Sequence, residues 1–134
     1  MATVAHVRKA LAGYAGDEVQ IIEWGLLTTT NLDGEWIALP LHRDISIHCY
    51  GTFGAGATVT IQGSNEVVAS PTAPVTVNSA DAAGTAPYPL TFTTAGGAAI
   101  RQVLDAPVKI RPLLSGGDGT TSLTVVLKAV RSRG

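Results

Sequence analysis

The chain has 134 residues, a formal net charge of −1 and one cysteine, with 46% hydrophobic and only 14% charged residues. This length suits one domain able to bury its own core, and a lone cysteine excludes an internal disulfide or a thiolate metal cluster. The near-neutral balance excludes the basic stripe of a general nucleic-acid binder, and no run approaches the ~20 apolar residues of a membrane-spanning helix. Soluble domains usually carry ~25% charged residues, so much of this surface must be neutral Thr, Ser, Ala and Gly. Such a surface suits a protein that spends its life packed against others, and it also fits a plain secreted β-domain.

Residues 1–18 read as an N-terminal arm and 19–134 as the folded domain. Residues 4–11 form a weakly helical patch, too short to stand alone, with Gly13 and Gly16 after it. His6, Arg8 and Lys9 interrupt the apolar run that a signal peptide needs, so cytoplasmic synthesis is expected. Basic residues gather at the two ends, with Arg8 and Lys9 at one and Lys128, Arg131 and Arg133 at the other.

From Val19 onward the chain reads as short β runs broken by turns. Residues 19–24 and 35–39 are strand-like, and Asp33-Gly34 between them has the chemistry of a tight hairpin. Ile45, Ile47 and Cys49 then alternate with Asp44, Ser46, His48 and Tyr50, a period of two with one buried face. After the glycine-rich turn 51–56, Val59 and Ile61 alternate with threonines in what reads as the partner strand. Four prolines make residues 64–89 loop-rich, leaving Val75 and Val77 at best a short edge strand. Strands follow over 90–93, 98–104 and 108–111, then a turn at 115–119. The last run, 123–130, is apolar on both faces, with Leu123, Val125 and Leu127 on one and Val126 and Val130 on the other. Such a strand is central in a sandwich or pressed against a partner. The sequence therefore predicts an all-β fold, a jelly roll or β-sandwich of about eight short antiparallel strands.

Sites for chemistry are sparse. His42, Asp44, Ser46 and His48 share one side of a strand, but neighbours on one face stand nearly 7 Å apart, beyond the hydrogen-bond contact of a triad. His6, His42 and His48 lack companion ligands at metal-binding spacing. Residues 51–56 and 116–119 are glycine-rich yet lead into strands instead of a helix N-terminus, so they read as turns and not phosphate loops. Trp24, Trp36, Tyr50, Phe53 and Tyr88 could form a sugar platform, although the core needs most of them. The sequence thus predicts no catalytic centre, no cofactor and no metal.

Residues 44–54 and 58–65, with Ile110-Arg111-Pro112, the turn 115–119 and the strand 123–127, resemble small structural proteins of tailed bacteriophages. The likeness spans about residues 19–130 and is nearest to jelly-roll cement or decoration proteins that sit outside an icosahedral head. It implies a virion protein on the capsid surface that binds major capsid protein and stabilises the shell as a homo-oligomer, a dimer or trimer. It implies no contact with nucleic acid or membrane. A tail or head-fibre component of the same fold is an alternative, and a carbohydrate-binding module a third. The expected capsid or oligomer contacts are Arg8, Lys9, Val126, Val130 and Arg131, with the arm docking on a neighbouring subunit or on the capsid protein.

Overall fold

A computed structural model of the chain describes residues 3–9, 19–39, 42–80 and 87–131. Among the described residues every helix or strand is a strand, twelve in all. The first six are β1 (His6–Lys9), β2 (Val19–Leu27), β3 (Ile37–Ala38), β4 (His42–Thr52), β5 (Thr58–Ser64) and β6 (Val75–Thr76). The rest are β7 (Asn78–Ala80), β8 (Pro87–Pro89), β9 (Thr91–Thr93), β10 (Ala99–Val103), β11 (Lys109–Ser115) and β12 (Ser122–Arg131). They form two antiparallel sheets, one of seven strands in the order β1-β2-β12-β4-β10-β7-β8, the other β3-β11-β5-β6 with β9 alongside β5. The fold is a β-sandwich. The strands beyond the eight expected are short pieces of two to four residues.

The alternation in the sequence fixes which side of each strand is dry. Ile45, Ile47 and Cys49 of β4, Val59 and Ile61 of β5, and Leu123, Val125 and Leu127 of β12 are all essentially inaccessible. They join Ile22, Trp24, Ile110 and Leu114 in one core cluster between the sheets. Trp24 also satisfies its indole N–H, donating to the Glu35 carbonyl at 3.0 Å. Burial pushes the Cys49 thiol up to about 12, so it packs as a small apolar side chain.

Three expectations change. Residues 6–9 are not helical but form β1, paired to β2 with His6 opposite Trp24 and Lys9 opposite Ile21. The ladder and side-chain contacts of His6 with Glu35, Arg8 with Gln20 and Lys9 with Glu23 outweigh the weak local helix preference. The rest of the expected arm, 10–18, lies outside the described residues. Asp33-Gly34 does not close a hairpin, because β2 and β3 belong to different sheets. The tight turn comes earlier, where Thr28 and Asn31 exchange backbone hydrogen bonds, and Gly34 instead donates to the Pro112 carbonyl. Likewise β5 is not the partner of β4. It pairs with β11, while β4 lies between β12 and β10.

The last strand is central in its sheet, between β2 and β4, and of its two apolar faces Leu123, Val125 and Leu127 are buried whereas Val126 and Val130 are only half-buried. Strand β11 runs on through Pro112 to Ser115, beyond the 108–111 expected. The Pro112 carbonyl points to Gly34, so its missing N–H faces that irregular segment and breaks no bond to β5.

Candidate functional site

The outer surfaces of the two sheets differ in kind. On the five-stranded sheet, Thr58 stands opposite Thr93, Thr60 opposite Thr91, and Gln62 opposite Arg111. Arg111 donates from Nε to Gln62 at 2.9 Å, pairs with Asp33 at 3.4 Å and lies 4.7 Å over the Trp36 ring. This is a face built for water, rich in hydroxyls and with Arg111 paired to Asp33.

The outer face of the seven-stranded sheet is different. Register places Val7, Glu23, Val126, His48 and Ile100 side by side, one per strand across β1, β2, β12, β4 and β10. The next row is Lys9, Ile21, Lys128, Ser46 and Gln102. Val19, Val130 and Asp44 form a third, and Thr124 and Tyr50 a partial fourth on the other side. Ile100 is 63% exposed, Val7 55% and Tyr50 38%. Tyr50 lies against His48 with ring centroids 4.8 Å apart. Lys9 and Glu23 pair at 2.5 Å, and that hydrogen bond holds the lysine above its ordinary range. A shallow depression of about 300 Å³ opens in this face, lined by Asp44, Ile45, Ser46, Gln102 and Lys128.

Of the five residues singled out from the sequence, Lys9, Val126 and Val130 lie on this face. Arg8 does not. It stands opposite Ile22, on the core side of the edge strand, and reaches Gln20. Arg131 is exposed at the far end of β12. Ile100, Val7, Tyr50 and Ile21 were not singled out, although Ile100 carried the same signal as Val126, an apolar residue in the phase opposite to the buried ones. The helical reading of residues 4–11 hid Val7.

The other candidates are scattered. Asp44, Ser46 and His48 point outward at successive steps of β4, into the face just described. No group of three or more His, Cys, Asp or Glu converges to hold a metal among the described residues. Trp24 is buried and cannot be a sugar platform. Trp36 lines a groove of about 550 Å³ with Pro71 and Lys109, but the Arg111 guanidinium already lies over its ring.

The glycine-rich turns join each other at one end of the sandwich. Asp118 accepts hydrogen bonds from Ala55 N at 2.8 Å, Thr120 N at 2.8 Å and the Thr120 hydroxyl at 2.6 Å. Thr121 donates to the Phe53 carbonyl at 2.6 Å. These bonds, the Thr120 hydroxyl first, pull the Asp118 carboxyl down to about 2. A carboxyl lower in the folded than in the unfolded chain contributes stability that is complete above about pH 4 and lost as pH falls toward 2. Asp118→Ala should therefore lower the melting temperature at pH 7. Its deficit against the native chain should shrink between pH 4 and pH 2 in a calorimetric pH series. A deficit constant over that range would show that the carboxylate does not tie the turns.

Comparison with family models, with curated proteins and with solved structures gave no match.

Proposed function

We propose that the chain is a structural, non-enzymatic virion protein that binds the outside of a phage capsid and cements major capsid protein subunits. The observation that carries this reading is the contrast between the two outer faces. One sheet presents paired threonines to water, whereas the other presents Val7, Ile21, Val126, Val130, Tyr50 and Ile100 interspersed with Lys9, Glu23, Lys128 and Asp44, two charges of each sign. A cluster of exposed apolar residues among charges that balance, on a protein this size, marks an interface with another protein.

The edges of the same sheet argue for contact through the face. Edge strand β1 carries Arg8 on its inner side, and edge strand β8 has a proline at each end. Both features discourage addition of a further strand. The resemblance of residues 44–65 and 110–127 to decoration proteins supplies the shell as the setting. There a repeated lattice lets many modest contacts act together. The partners under this reading are major capsid protein and other copies of the chain.

Particles purified from cells that make the chain should carry it at many regularly repeated sites on the head, read by cryo-electron microscopy with a labelled antibody. Label confined to one vertex or to the tail would make it a fibre or tail component. Absence from every particle fraction would overturn the assembly role.

A further inference from the structure

We infer that the outer face of the seven-stranded sheet packs against the same face of a second copy of this chain. The inference rests on the reading of the protein as an assembly component and names the partner of that face. Three observations carry it.

The first is relief. Ile100 projects from β10 as the most exposed large apolar residue of the face. Two positions along the same strand, Gln102 borders the depression of about 300 Å³ between β4, β10 and β12. Knob and hollow thus lie on one face, roughly 7 Å apart along the strand. A two-fold axis lying in the interface between them brings each Ile100 over the hollow of the other copy. That is the self-complementarity an isologous contact requires.

The second is charge. The face carries Lys9 and Lys128 against Glu23 and Asp44, with Lys9 and Glu23 already paired. Two copies therefore meet without net repulsion. A face evolved for a strongly charged partner would show one sign in excess.

The third is area. Five adjacent strands at ~4.8 Å spacing and ~3.3 Å per residue give a face on the order of 600 Å². This matches the lower end of specific interfaces, about 600 Å² per partner. Sheets stacked in this way sit about 10 Å apart, close enough for Val126, Tyr50 and Ile100 to interdigitate.

The test is sedimentation equilibrium of the full chain from about 1 to 100 μM, with Ile100→Asp, Val126→Asp and, as a control on the other sheet, Thr60→Asp. All three sites are on outer faces, and circular dichroism melts establish that each variant is folded. The native chain and Thr60→Asp should be dimers. Ile100→Asp and Val126→Asp should weaken self-association about thirtyfold or more, because each exchanges buried apolar area for a carboxylate that must be desolvated. A native chain that is monomeric throughout overturns the inference. So does an oligomer that survives both substitutions. Shell occupancy measured in parallel separates the two readings: loss of occupancy by the variants of a monomeric chain assigns this face to the capsid and leaves the assembly role standing.

Discussion

Ile47→Ala should lower the melting temperature of the domain by about 8–20 °C, the counterpart of roughly 2–5 kcal/mol. Ile47 sits at the centre of β4, with Leu127 of β12 on one side and Arg101 of β10 on the other. It is wholly inaccessible and belongs to the core cluster that joins both sheets. Truncation to alanine removes the transfer energy of three carbons and leaves a hole that two hydrogen-bonded neighbours prevent from closing. A domain with a total stability of about 5–15 kcal/mol loses a large share of it in that way. The neighbouring residue supplies the control. At concentrations where the chain is monomeric, His48→Ala, on the outer face, should shift the melt by only a degree or two, since surface changes stay within about ±0.5 kcal/mol. Equal shifts for the two would mean that β4 presents the opposite side to the core.

The inside of the sandwich was legible in the sequence because burial imposes a period of two that can be read one strand at a time. Ile45, Ile47, Val59 and Ile61 alternate with polar neighbours, Val125 shares its phase with Leu123 and Leu127, and all five are in the core. Partnership was not legible, since the same period is written whether two strands form a hairpin or face each other from opposite sheets. The turn after β4 shows this. Residues 53–57 carry the chain across the core, so β4 and β5 oppose each other instead of pairing. Only long-range registry, such as Val126 with both Glu23 and His48, settles the order of strands. The outer face was half legible for the same reason. Val126 and Val130 stood out as apolar residues in the wrong phase of a strand already recognised. Val7 and Ile100 became its neighbours only through pairings between residues up to about a hundred positions apart in the chain. Strand β1 was missed because four residues with no buried side chain leave no periodic trace.

Gly51→Ala should cost about 3 kcal/mol or more, because an added methyl group there meets both backbone strain and a backbone collision. Gly51 lies within β4, opposite Leu123 of the central strand β12, with φ at +126°. Residues with a Cβ avoid that conformation, and strain of this kind costs about 1–3 kcal/mol. Space is the second obstacle. A Cβ there would stand 2.4 Å from the Ser122 carbonyl oxygen and 3.2 Å from the Leu123 Cα, both backbone atoms. Neither can retreat alone, because β12 is bonded to β2 on its far side. Two other glycines separate strain from collision. Gly56 has φ at +69° and nothing within 4 Å of its added Cβ, so Gly56→Ala should cost only about 1 kcal/mol. Gly119 has neither a positive φ nor a neighbour in reach, so Gly119→Ala should be neutral or slightly stabilising through the unfolded chain. Urea midpoints of the three variants should therefore fall in the order Gly119→Ala, Gly56→Ala, Gly51→Ala. A Gly51→Ala midpoint equal to that of Gly56→Ala would mean that β12 can move away from β4, and that the central ladder of the sandwich is looser than its pairing implies.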